Sequence, residues 1–130
     1  ITISDYLFTK CLLFAKVTLP VDEFRLYQRL FDIIHQQLIQ PDLLIYLHSP
    51  VQKLQENIRK RNRSYEQNIP DDYLFNLQET YTHYIKQHNI KTLFIDMSNA
   101  DLLGNPLHLK TIIEALDKDY DEGQHYLSLP

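Results

Sequence analysis

The sequence predicts an α/β fold in which a parallel sheet is covered by helices on both faces. Three observations predict it. The runs LLIYL (residues 43–47) and TLFID (residues 92–96) are short and almost wholly apolar, as strands buried on both faces are. The stretches around them repeat their apolar residues at helical spacing. Strands that alternate with helices in this way pair in parallel, with the helices packed on the sheet.

Each element follows in order. Residues 1–4, ITIS, are β-branched before the polar Asp5, which predicts a buried strand ending in a functional loop. Over residues 6–16 the apolar positions Leu7, Phe8, Cys11, Leu12, Phe14 and Ala15 recur at helical spacing. Pro20 opens a second helix, about residues 21–39, and Pro41 stops it. Its stripe is Phe24, Tyr27, Leu30, Phe31, Ile34 and Leu38. After the strand at 43–47, Ser49 and Pro50 supply a cap and a first-turn proline for a helix to about Lys60. Residues 62–68 are polar and form a loop. Pro70 with Asp71 and Asp72 starts a helix to about His88, and the strand at 92–96 follows. Asn105 and Pro106 open a last helix to about Leu116. The expected order is β-αα-β-α-loop-α-β-α over residues 1–117, with residues 118–130 as a loose polar tail. Three strands make a narrow sheet, so the chain is expected to be part of a longer one.

Bulk properties limit the function. The 130 residues, 44% of them hydrophobic, suit one domain with a real core. The net charge of −4 opposes a general binder of nucleic acid or anionic membranes, so any anion site is a local cluster. One cysteine, Cys11, excludes an internal disulfide and a cysteine-based zinc site, and a cytoplasmic setting is expected. Cys11 lies on an apolar stripe and is expected to be buried and inert. No apolar run approaches the roughly 20 residues that cross a bilayer. The opening residues also lack the basic leader of a signal peptide. The six histidines lack metal-ligand spacing. Only two glycines occur, Gly104 and Gly123, and GxxxxGK[ST] is absent. A loop that cradles a triphosphate is therefore expected to lie outside the chain.

In open α/β sheets, ligands bind at the carboxyl ends of the strands. Asp5, the segment after Leu47, and Asp96 lie there in the expected order. The segment after Leu47 carries the strongest signal, since Arg59, Lys60, Arg61 and Arg63 place four cations in five positions. A basic run at a helix C-terminus also suits a solvated end, favoured by the helix dipole. Here it enters a polar loop containing Glu66, closed by the helix at Pro70. That arrangement is a flap between two helices, and forked guanidiniums on a flap can neutralise a phosphoryl group as a site closes.

The stretch RNRSYEQNIPDDYL, residues 61–74, resembles the lid of the deoxynucleoside kinases, which include the bacterial deoxyadenosine and deoxyguanosine kinases. PDLLIYLHSP before it and LQETYTHYI after it resemble the flanking strand, turn and helix. SDYLFTKCLLFAK, residues 4–16, resembles a segment carried by a bacterial branch of the family. The resemblance runs to about Leu116. It implies a three-layer P-loop NTPase-type sheet, here the C-terminal portion with a lid at about 59–69. It also implies transfer of the ATP γ-phosphoryl to the 5′-hydroxyl of a deoxynucleoside, with Mg2+. By resemblance Arg61 and Arg63, with Arg59 as a further match, contact phosphates. Glu66 approaches the deoxyribose 3′-hydroxyl, Asp5 lies near the Mg2+ and Phe14 stacks on the base. Tyr6 stands at a substrate-facing position where many members have arginine, and Lys10 and Cys11 stand near a base-reading position that is often acidic. From pattern alone, Asp5 equally suits a helix cap, Phe14 a core position and Glu66 an ordinary surface. The stripe from Phe24 to Leu38 offers a homodimer face. A non-catalytic kinase-shaped interaction domain, fused as in some bacteria to a pterin pyrophosphokinase of the folate pathway, is the alternative.

Overall fold

The computed structural model describes residues 1–5 and 7–130. Thr9–Thr18 forms α1, Val21–His35 α2, Leu44–His48 β1, Val51–Arg61 α3, Asp71–Gln87 α4, Thr92–Asp96 β2, Pro106–Leu116 α5 and Gln124–Ser128 β3. A 3-10 turn at Ser64–Glu66 lies between α3 and α4. The strands pair in the order β1-β2-β3, all parallel. The α/β class and parallel sheet read from the sequence are those of the fold.

Helices cover both faces of the sheet. Register places Tyr46, Phe94 and Tyr126 side by side on one face. Their ring centroids are 5.2 Å apart in each neighbouring pair. Tyr81 of α4 meets Tyr46 at 6.0 Å, and Phe14 of α1 meets Tyr81 edge-on at 6.3 Å, so α4 and α1 close this face. On the opposite face Leu93 and Ile95 pack against Ala115 of α5, with Ile112, Tyr120 and Leu127 around them. Outside α1, α2 is held by Phe31, which is buried and stacked on Phe8 at 5.1 Å. No helix among the described residues is long and apolar enough to cross a membrane.

Several expectations need correction. Residues 1–4 form no strand, and Ile1 and Ile3 are exposed. They lie outside the three-stranded sheet, and β-propensity alone makes no strand without a neighbouring one to pair with. The expected loose tail instead contains β3. Its apolar pattern is weak, but β2 has two edges and β1 fills only one. Backbone pairing along the second edge fixes residues 124–128. Gly123, at φ +101°, turns the chain into that strand, and its carbonyl accepts from the Thr92 N–H at 3.0 Å.

β1 is not buried on both faces either. Ile45 and Leu47 share the face of Leu93 and Ile95 but are exposed, because α5 packs over β2 and β3. The α2 stripe is split: Phe31 is buried, whereas Leu30, Ile34 and Leu38 are exposed. The helix ends at His35, and Gln40 ties the following turns through the carbonyls of His35 and Leu38. Ser49 does not cap α3. Pro50 is the N-cap, while Ser49 is buried and its carbonyl accepts from the Gln78 side chain at 2.5 Å. Asn105 does cap α5, accepting from Leu107 N–H at 3.1 Å. Cys11 is half-buried rather than sealed, and its side chain bonds Tyr27.

Candidate functional site

Two groups of residues are built around β1, α3 and α4. The first is a cavity of about 400 Å³ between α1, α4 and β1. Asp5 and Phe14 line it together with Tyr46 and Tyr81. Its wall is otherwise largely aliphatic, from Leu13, Leu44, Leu77 and Ile85 among others. This is the size and character of a small-molecule site, mainly apolar with a few polar groups. Asp5 is exposed and Phe14 is half-buried. The Tyr81 hydroxyl is buried without a hydrogen-bond partner among the described residues. Burial, foremost, and then neighbouring Tyr46 push its pKa up, so the hydroxyl stays protonated. Burial also raises Tyr84, opposed by a side-chain bond from Thr9, and that bond joins α1 to α4 at the cavity wall.

The second group is the basic loop. The last turn of α3 carries Arg59, Lys60 and Arg61, where cations favour the helix dipole. Asn62 then takes a left-handed conformation, φ 53°, and its N–H returns to the Ile58 carbonyl at 3.2 Å, ending the helix. The reversal and the 3-10 turn bring Glu66 back against the arginines. Arg61 Nη2 donates to Glu66 Oε2 at 2.5 Å, and Arg63 Nε lies 3.9 Å from Glu66 Oε1. The loop backbone is pinned on both sides. Gln67 Nε2 donates to the carbonyls of Ile58 and Arg63 at 3.1 Å each. Gln55 Nε2 donates to the Ile69 carbonyl at 2.8 Å and to Asp71 Oδ1 at 2.9 Å.

The structure thus brings Asp5 and Phe14 together at the cavity, and Arg61, Arg63 and Glu66 together in the loop. It does not place the loop residues on the cavity wall. Arg59 is exposed in the last turn of α3, and Tyr6 lies outside the described residues. Gln55, Gln67 and Gln78 were not singled out by the sequence. Their amides bond backbone across separations of up to 29 residues, which no local pattern encodes.

Beyond β2 lies a third feature, a loop at the carboxyl end of the sheet. Asp96 Oδ1 accepts from both the hydroxyl and the N–H of Ser98. The Ser98 hydroxyl, then its N–H, lower the Asp96 pKa, while slight desolvation opposes them and His48 adds to the lowering. A lowered carboxyl favours the folded state above its ordinary pKa, and that contribution is lost as pH falls through the lowered value. Ser98→Ala is expected to move the Asp96 titration upward toward the ordinary value, read by NMR of the carboxyl carbon. An unchanged titration contradicts this cause. Further along, the buried His108 accepts at Nδ1 from the Asp101 N–H at 3.0 Å. Nε2 therefore carries the hydrogen and donates to the Pro130 carbonyl at 2.7 Å. The Asn105 amide nitrogen, 3.2 Å from Nε2, is then a contact between donors. Gly104 has no room for a Cβ beside the Asp101 carboxylate, which accepts from its N–H at 2.8 Å.

A sequence profile described as "Deoxynucleoside kinase" matches residues 1–120. The chain belongs to the deoxynucleoside kinase family. Deoxyguanosine kinase of Bacillus subtilis (strain 168) is 32% identical to it over 85 residues, 65% of this chain and 41% of that enzyme. Deoxyadenosine kinase of Lactobacillus acidophilus (strain ATCC 700396 / NCK56 / N2 / NCFM) is 28% identical over 129 residues, 92% of this chain and 60% of that enzyme. The chain therefore spans less than two-thirds of the length of either relative. In this member of the deoxynucleoside kinase family, the profile match contains both the cavity and the basic loop and ends before β3.

Proposed function

We propose that the chain is the cavity-and-lid part of an ATP-dependent deoxynucleoside kinase that phosphorylates the 5′-hydroxyl of a deoxynucleoside. The observation that carries this is the pinned loop holding Arg61, Arg63 and Glu66, set between the two helices α3 and α4 that also line the apolar cavity through Leu54 and Leu74. In this proposal Phe14 offers its ring to the base. Asp5 lies toward the phosphate-accepting end and Glu66 approaches the deoxyribose. Arg61 and Arg63, with Arg59 nearby, neutralise phosphate oxygens. Transfer of a phosphoryl group depends mainly on positioning and charge stabilisation, which guanidiniums on a closing loop supply.

Asp5, one exposed carboxylate, fits Mg2+, which keeps most of its water and takes one or two carboxylates beside substrate phosphates. Bound Mg2+ would neutralise charge on the phosphates. The phosphate cradle would come from residues outside these 130. The exposed line Leu26, Leu30 and Ile33 on α2 supports a homodimer in the intact protein.

The test is transfer of labelled phosphate from ATP to a panel of deoxynucleosides by the full-length protein. The expected result is a 5′-monophosphate from at least one of them. No transfer, together with no calorimetric binding of any deoxynucleoside in the presence of ATP, would leave a non-catalytic interaction domain instead.

A further inference from the structure

The two guanidiniums that the kinase proposal assigns to phosphate are already engaged. Glu66 presents one oxygen to Arg61 and the other toward Arg63. The arginine side chains are 49% and 53% exposed, whereas the Glu66 side chain is only 15% exposed. The carboxylate therefore sits inside the loop, and the guanidiniums reach in to it from the solvent side. The pairing is uneven. Oε2 has a short bond to Arg61, whereas Oε1 is buried without a hydrogen-bond partner among the described residues and is 3.9 Å from Arg63. An incoming anion with three oxygens could satisfy both guanidiniums more fully than this carboxylate does.

The loop is built so that side chains can exchange while the backbone stays in place. Gln67 holds the backbone carbonyls of Ile58 and Arg63, and Gln55 holds that of Ile69, three bonds that use neither guanidinium and not the Glu66 carboxylate. Exchanging the partner of Arg61 and Arg63 thus requires no unfolding of the loop. Charge sets the direction. With Glu66 ionised, Arg61, Arg63 and Glu66 together carry one net positive charge; without it they carry two.

We infer that Glu66 is an internal competitor for the phosphate-binding arginines and sets the anion affinity of the lid. The nature of the anion, a nucleotide phosphate, rests on the kinase proposal; the competition rests on the contacts alone. In the resting protein the carboxylate holds Arg61 and Arg63 and keeps stray anions from binding tightly. A phosphate displaces it from the guanidiniums, and the freed carboxylate is then available to another hydrogen-bond donor.

The probe is pyrophosphate, titrated into the full-length protein and followed through the arginine side-chain NMR signals and by calorimetry. Glu66→Gln keeps shape and removes charge. It is expected to bind pyrophosphate about five-fold more tightly than the unaltered protein, the scale of one partly exposed ion pair. Adding Arg61→Ala and Arg63→Ala to the same protein should abolish that gain. Equal or weaker binding by Glu66→Gln overturns the inference, even if the protein phosphorylates deoxynucleosides. A gain that survives loss of both arginines also overturns it. Tighter binding in a protein that turns over no deoxynucleoside upholds the competition and sinks the kinase proposal. Should Glu66→Gln fail to fold, Glu66→Asp, which keeps the charge but shortens its reach, is expected to shift affinity in the same direction.

Discussion

Turnover of the full-length protein is expected to fall by about 100-fold or more when Arg61 and Arg63 are both replaced by alanine, the scale of losing preorganised charge stabilisation. The two guanidiniums end a helix and enter a turn that holds them on the same carboxylate. They are thus close enough together to grip one phosphoryl group. Lysine at both positions should recover only part of the rate, because an ammonium lacks the planar fork that matches phosphate oxygens. Stability is a separate readout. Pairs whose guanidiniums are half exposed contribute about 1 kcal/mol or less each. Steady-state kinetics should therefore show a large loss in kcat while thermal unfolding changes little. Unchanged turnover would remove the arginines from the mechanism.

Ile95→Ala should cost about 2–5 kcal/mol, as buried isoleucines do when they leave a cavity. Ile95 is 0% exposed in the central strand. It packs with Leu93 and Ala115, and no neighbouring strand can shift without breaking its ladder. Leu47, its register partner on β1, is 57% exposed on the same face. Leu47→Ala should therefore cost well under half as much. Urea unfolding checks both: the midpoint moves while the slope stays constant if the native fold is kept. Similar losses for the two variants would mean that β1 is covered on that face.

Burial and ladder contacts explain which parts of the fold were legible. TLFID is read correctly to the residue because its location in the centre of the sheet agrees with its apolar composition. Asn105 and Pro106, and Pro70 ahead of Asp71, mark helix starts through local chemistry, so they too are legible. QHYLS is not, because it is held by an open edge of β2 rather than by its own preferences. ITIS fails in the opposite sense: its β-propensity is strong, yet it lies outside the sheet and forms no strand. At the candidate site, residue type announces Arg61, Arg63 and Glu66. The pairing among them depends on the left-handed Asn62 and the turn after it, which make neighbours of residues five apart. Tyr81 reads as one more helix tyrosine until Tyr46 and Phe14 are seen to close around it.

His108 gives the last strand a second duty. One imidazole bonds the Asp101 amide on one side and the Pro130 carbonyl on the other, so the loop after β2 and the end of β3 are fastened by a single ring. The profile match ends at residue 120, upstream of both β3 and that carbonyl. A protein trimmed to the similarity boundary would turn β2 from a central strand into an edge. It would also leave the His108 ring with a hydrogen and nowhere to donate it. The smallest piece that folds as described therefore runs past the end of the profile match.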